Sequence, residues 1–166
     1  MKRDRTSLLR LVSELESDVA VLDGLVEANR LMTRKIELSE PDQFDWAALG
    51  YTVHNLYNLM EGYFLRIAKY FENDLDPLSW HRDLVRRMSL DIEDIRPALL
   101  STDGAALIDE LRAFRHVFRN IYQSALDPRK TAAVNAVAPR AVEAFRRAHT
   151  AYVALLRELS RKLDAD

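Results

Sequence analysis

The residues that could do chemistry are concentrated between Arg112 and Gln123. On a helical wheel of about 100° per residue, the apolar side chains of this stretch fall on one arc and the polar ones on the other. Arginine matches phosphate oxygens, imidazole moves protons near neutral pH, and amides and phenols orient hydroxyl groups. The polar arc therefore suits phosphodiester chemistry, although an arginine-rich arc is also typical of a solvated helix face. Its members are Arg112, Arg115, His116, Arg119, Asn120, Tyr122 and Gln123.

Positive charge is concentrated around the same stretch. The whole chain carries a net charge of −2, yet the segment from Arg112 to Arg147 contains eight Lys or Arg residues and two acids. A surface of that sign could hold a phosphate backbone. The small net charge of the whole chain argues against a protein that coats nucleic acid by non-specific binding.

Composition excludes several other kinds of site. Because the chain has no cysteine, it has no disulfide, no cysteine-ligated metal and no thiol nucleophile. Its four glycines are scattered, which excludes a glycine-rich phosphate loop. No His/Glu spacing indicates a metal site, so we expect neither a metal nor a cofactor. No apolar run approaches the ~18 residues that span a bilayer, and no signal peptide is recognisable, so we expect a cytoplasmic protein without a membrane partner.

The elements that position the polar arc are predicted to be helices, because apolar residues recur at intervals of three and four along the chain. We predict an all-α fold: an up-and-down bundle of four long helices plus one short helix, forming a single domain over residues 1–166. Helix two is apolar over much of its circumference and is expected to be central. The predicted helices run from about Ser7 to Ile36, Gln43 to Glu72, Trp80 to Met88, Gly104 to Ser124 and Lys130 to Lys162.

Four residues outside the polar arc carry specific expectations. Thr6 is a plausible cap for helix one, and Pro139 should kink or break helix five. His149 lies on the apolar stripe of helix five and is expected to be packed and satisfied. His54 flanks the apolar seam of helix two and could point toward helix four, although a structural role is favoured.

The motif on helix four resembles a known family. Arg115-x4-Asn120-x-Tyr122 is similar to the Arg-x4-His-x-Tyr motif of HepT toxins, which belong to the HEPN superfamily of small helical ribonucleases. The resemblance extends to Tyr51–Asn73 on helix two, to Trp80–Leu84 and to all of helix four. It covers roughly residues 44–159 and implies a bundle of the HEPN type.

The resemblance implies a function as well as a fold. It implies a homodimeric toxin of a type VII-like toxin–antitoxin system, a metal-independent endoribonuclease with a basic RNA cleft at the dimer interface. The expected partner is a minimal nucleotidyltransferase antitoxin that transfers AMP to the motif tyrosine, Tyr122. RNA, with tRNA as a candidate, is the expected substrate, and DNA is not expected. Arg115 would contact the scissile phosphate, with Arg112 and Arg119 binding neighbouring phosphates.

The sequence departs from the family motif at one position. Asn120 stands where the motif has histidine, and His116 follows the motif arginine, so the two residue types look exchanged. Three interpretations stay open. His116 supplies the imidazole while Asn120 positions the ribose, or the protein binds RNA or a nucleotide without cleaving it, or weak activity rests on Arg115 alone. We favour the first; the alternative is a non-catalytic HEPN module that binds a nucleotidyltransferase partner or a nucleotide.

Overall fold

A computed structural model describes residues 4–72, 80–120 and 125–163 of the chain. These residues form a bundle of four long helices and one short helix, with no strand, which confirms the predicted all-α class. None of the described helices is apolar enough over a sufficient length to cross a membrane. The helices are α1 (Arg5–Leu38), α2 (Gln43–Phe71), α3 (Trp80–Met88), α4 (Thr102–Arg119) and α5 (Pro128–Lys162).

The helices begin at polar capping residues. The cap of α1 is Asp4 and not Thr6: the Asp4 carboxylate accepts from the backbone N–H of Ser7, 2.7 Å away. The Ser7 hydroxyl lies 3.3 Å from the Asp4 backbone N–H and completes a capping box, so the prediction of Thr6 was wrong because the reciprocal pair begins two residues earlier. The remaining long helices α2, α4 and α5 are capped by Asp42, Ser101 and Asp127.

Helix α2 is the central element, as its sequence predicts. It packs against each of the other four helices, and its seam residues Val53, Met60 and Ile67 are fully buried. Tyr63 on the same seam is also buried, and its hydroxyl lies 3.0 Å from Nδ1 of His149 on α5. His149 is therefore packed and hydrogen-bonded, and its burial lowers its pKa.

A buried polar network joins α1, α2 and α5 beside Pro139. Asn29 donates from Nδ2 to Oγ1 of Thr52 and to Oδ1 of Asn135, both at 2.8 Å. Asn135 in turn donates to Oγ1 of Thr33 at 2.9 Å. Helix α5 continues through Pro139, so that proline does not break it. The network fixes the helices to each other at this level of the bundle.

A buried arginine secures the connection between α3 and α4. The Arg96 side chain is fully buried, and its Nε donates to Oε1 of Glu72 at 2.8 Å. Its other nitrogens donate to the backbone carbonyls of Arg87 and Leu90. Asp94 turns the chain with a positive φ of 58°. The connection between α3 and α4 is thereby tied to the end of α2 at Glu72.

Candidate functional site

Arg115 lies at the seam between α4 and α2. Its Nη2 is 2.9 Å from Oε2 of Glu61, and its Nε donates to Oδ1 of Asn58 at 2.8 Å. The guanidinium also lies 5.8 Å from the centre of the Tyr57 ring. Only 17% of the Arg115 side chain is exposed, against 11% for Glu61. The arginine of the motif is thus held by α2, with a narrow part of it open to solvent.

The hydrogen bonds continue from Arg115 to His54. Because Asn58 Oδ1 accepts from a guanidinium that can only donate, the orientation of the Asn58 amide is fixed. Its Nδ2 therefore donates to Nε2 of His54, 2.8 Å away. An imidazole nitrogen that accepts must be unprotonated, so His54 is neutral and its proton lies on Nδ1. That Nδ1 is buried and has no hydrogen-bond partner among the described residues.

The surroundings of His54 favour its neutral form. The ring stacks on Phe118 of α4, with 5.0 Å between the ring centres. Burial lowers the pKa of His54, the nearby charges of Arg115 and Arg119 lower it further, and Glu61 acts in the opposite direction. His54 does point toward α4, as the sequence allowed.

Close packing at Gly50 places Phe118 against His54. A Cβ atom at Gly50 would lie 2.6 Å from Leu126 Cδ1 and 3.2 Å from the Phe118 ring. Because glycine has no side chain, the end of α4 at Phe118 and the residue Leu126 before α5 can approach α2 closely. This approach is part of what positions the site.

Tyr57 contributes packing and not proton transfer. Its hydroxyl is buried without a hydrogen-bond partner among the described residues. Burial, reinforced by the charge of Glu61, raises its pKa well above the usual range, so the phenol stays protonated at neutral pH.

The three arginines of the predicted polar arc on α4 are not equally accessible. Arg112 forms an ion pair with Asp109, with 2.5 Å between Nε and Oδ1, and the hydrogen bond raises the pKa of Arg112. Arg115 is neutralised by Glu61. Arg119 is exposed and forms no ion pair within the described part of the chain. The site is consequently less positive than the sequence indicates, since Glu61 comes from another helix.

Helix α4 ends earlier than predicted. It was expected to reach about Ser124, but its last helical residue is Arg119, and Asn120 is its C-cap with φ −101° and ψ 6°. The Asn120 side chain donates from Nδ2 to the backbone carbonyl of His116 at 2.7 Å. Asparagine side chains compete for backbone groups in this way, and they stabilise helix ends more readily than helix interiors.

The structure brings some of the predicted site residues together but not all of them. His116 is exposed on the last turn of α4, and within the described residues its imidazole forms no hydrogen bond with Arg115 or Asn120. Tyr122 and Gln123 lie outside the described residues. Two residues that contact Arg115, Asn58 and Glu61, were missed from the sequence. Their signal was present, because residues 54, 58 and 61 follow the spacing of one helix face on α2.

No group of three or more carboxylate or histidine side chains among the described residues could hold a metal ion. No curated protein and no solved structure shows a significant match to the chain. A family model described as HepT-like protein matches residues 48–156, which include most of α2, all of α3 and α4, and most of α5. Both sides of the Arg115 site lie within the matched region. The chain belongs to the HepT-like family.

Proposed function

We propose that the protein is a HepT-type toxin that cleaves RNA without a metal ion, and that Arg115 binds the phosphate at which the RNA is cut. The observation that supports this most directly is the way in which Arg115 is held. Asn58 and Glu61 occupy Nε and Nη2, whereas no described hydrogen bond or ion pair uses Nη1. A guanidinium fixed at two nitrogens can present the third to a phosphate oxygen, where it stabilises the negative charge that develops during cleavage.

The proposed reaction is a transesterification within the RNA. The 2′-hydroxyl loses its proton and its oxygen attacks the adjacent phosphorus, while the bond to the 5′-oxygen breaks and that oxygen takes up a proton. The products are a 2′,3′-cyclic phosphate and a 5′-hydroxyl. His116 is the proposed proton carrier, because it is exposed on the helical turn next to Arg115. Asn120 would position the ribose, and Arg112 and Arg119 would bind flanking phosphates.

Regulation and assembly complete the proposal. Two copies of the chain would bring their α4 ends together to form one RNA cleft, with tRNA as a candidate substrate. A minimal nucleotidyltransferase antitoxin would transfer AMP to Tyr122. The transferred group adds a negative charge and bulk two residues beyond Asn120, which would repel and block an RNA phosphate.

A second candidate function is a non-catalytic module that binds a nucleotidyltransferase partner or a nucleotide. The observation in its favour is Asn120. Its amide is not an acid or a base, and its Nδ2 is already bonded to the His116 carbonyl.

Incubation of the purified protein with total tRNA in EDTA tests both candidates. The variants are Arg115→Lys, which keeps the charge but loses the bidentate geometry, His116→Ala and Asn120→His. Arg157→Ala is the matched control, because Arg157 also forms an ion pair between helices, with Glu16 at 2.6 Å. We expect wild type and control to cleave, and Arg115→Lys to lose about 100-fold. Cleavage by Asn120→His alone would favour the binding module, and no cleavage by any variant would refute the ribonuclease.

A further inference from the structure

Two polar residues of α2 are hydrogen-bonded in series to Arg115, and the proposed function uses the nearer one, Asn58, but not His54. His54 and Asn58 are one helical turn apart, and both are only partly exposed. Their hydrogen bonds have a fixed direction: Arg115 donates to Asn58, and Asn58 donates to His54. The chain of bonds ends at His54 Nε2, which must remain unprotonated for the chain to exist.

We propose that His54 is a positioning residue for Arg115, which it orients through Asn58 only while its own Nε2 is unprotonated. The inference rests on the proposed role of Arg115 as the phosphate-binding group. It concerns how that group is held and under which conditions.

Protonation of His54 would reverse the direction of one bond. A protonated Nε2 donates, so it would face the donating Nδ2 of Asn58 at 2.8 Å. Asn58 could accept from His54 only by turning its amide over, and that turn would place Nδ2 against the donating Nε of Arg115. Asn58 therefore cannot serve both cations at once, and Arg115 loses one of its two supports.

Charged groups on both α2 and α4 act on the protonation equilibrium of His54. Arg115 and Arg119 of α4 favour the neutral imidazole, and Glu61 of α2 favours the protonated one. Burial also favours the neutral form, so the pKa of His54 lies below its ordinary value of 6.5. The bonds to Arg115 are therefore intact at pH 7.5 and are lost as the pH falls below that ordinary value.

Two substitutions separate acceptance of the hydrogen bond from titration. His54→Gln places an amide oxygen near the position of Nε2, so it can accept from Asn58 but cannot gain a proton. His54→Leu keeps an apolar side chain against Phe118 but provides no acceptor. His149→Gln is the matched control, because His149 is also part-buried and hydrogen-bonded, to Tyr63 and not to the site.

The first measurement is nitrogen-detected NMR of the full-length protein between pH 8 and pH 5. We expect the Nδ1-protonated tautomer of His54 at pH 7.5, and an Arg115 Nε–H signal that changes with the midpoint of His54 titration. In His54→Gln that signal should stay constant over the same range, and in His54→Leu it should be displaced at every pH. An Nε2-protonated His54, or an Arg115 signal in His54→Leu that matches wild type, would overturn the inference.

The second measurement is the pH profile of RNA cleavage by the same proteins. His54→Leu should cleave about tenfold more slowly at pH 7.5, the effect of one hydrogen bond to a charged group. His54→Gln should recover most of that loss, and its decline at acidic pH should be shallower than that of wild type, because only the part that depends on His116 remains, while His149→Gln follows wild type. A decline in His54→Gln as steep as that of wild type would contradict the inference. If wild type cleaves no RNA but the NMR results hold, the proposed ribonuclease function fails and the positioning role stands.

Discussion

The ion pair between Arg115 and Glu61 makes a quantitative prediction about stability. Replacing Arg115 with methionine leaves a carboxylate with only 11% of its side chain exposed and without this cation. Breaking a fully buried pair in this way costs about 3–5 kcal/mol, whereas exposed pairs contribute about 0.2–1 kcal/mol. Exposures of 17% and 11% lie nearer the buried limit, so we expect Arg115→Met to lower the free energy of unfolding by about 2–3 kcal/mol.

The double variant Arg115→Met/Glu61→Met separates the interaction energy of the ion pair from the cost of replacing each side chain alone. The double variant removes the ion pair as a whole, and an apolar pair of similar size is often neutral or better. We therefore expect the double variant to lose about 1 kcal/mol or less, so that its loss is well below the sum of the single losses. The remaining loss would reflect the hydrogen bond that Asn58 Oδ1 no longer accepts from Arg115.

Urea denaturation at pH 7.5, combined in a double-mutant cycle, measures this coupling. The reference cycle is Arg157→Met with Glu16→Met, whose side chains are 50% and 42% exposed and should couple by less than about 1 kcal/mol. A loss below about 0.5 kcal/mol in Arg115→Met, or strictly additive losses, would show that the buried-pair reasoning is wrong.

Three further predictions concern the packing at Gly50, the pH dependence of stability and the buried hydrogen bonds of Asn29. Gly50→Ala should lower the free energy of unfolding by about 0.5–2 kcal/mol, because its Cβ would lie 3.2 Å from the Phe118 ring and would displace Leu126 Cδ1 at 2.6 Å, and the gain from replacing a helical glycine offsets only part of that strain. Gly62→Ala on the same helix should raise it by about 0.5–1 kcal/mol, because nothing lies within 4 Å; equal effects in urea denaturation would refute the packing argument. Burial lowers the pKa of His149, so its contribution to stability is present above the ordinary value of 6.5 and is lost as pH falls. Wild type should therefore lose more melting temperature than His149→Gln between pH 7.5 and pH 5, and parallel losses would contradict the assignment. Asn29→Ala leaves the buried Oδ1 of Asn135 without this donor, while the Thr52 hydroxyl keeps its bond to the Leu49 carbonyl, so the loss should be about 1–3 kcal/mol by denaturation; a loss below about 0.5 kcal/mol would mean that the network adds nothing.

Local sequence patterns were sufficient to predict the helices and the motif. The stripe of α2 predicted a central helix, because that feature depends on neighbours within one helix, which the sequence presents directly. The same patterns predicted α3 from Trp80 to Met88, as the structure has it.

The neutralisation of Arg115 could not be read from α4 alone. Glu61 lies 54 positions earlier in the chain, on a helix whose pattern is dominated by its apolar seam. The contact requires the packing of two helices, and a wheel drawn for one helix does not show it. The end of α4 was missed for a different reason: Asn120 continues the helical spacing, but its side chain can also bond to a backbone carbonyl and end the helix.

Pro139 has a consequence for the motions of α5. A proline has no backbone N–H, so the carbonyl of Asn135, four residues earlier, lacks its helical donor. A helix usually bends or opens at such a point. Here the side chain of the same Asn135 is hydrogen-bonded to Asn29 and Thr33, so the turn of α5 that lacks one backbone hydrogen bond is held to α1 by two side-chain hydrogen bonds. We expect the two halves of α5 to share one protection level in hydrogen exchange, and Asn29→Ala to make them open separately.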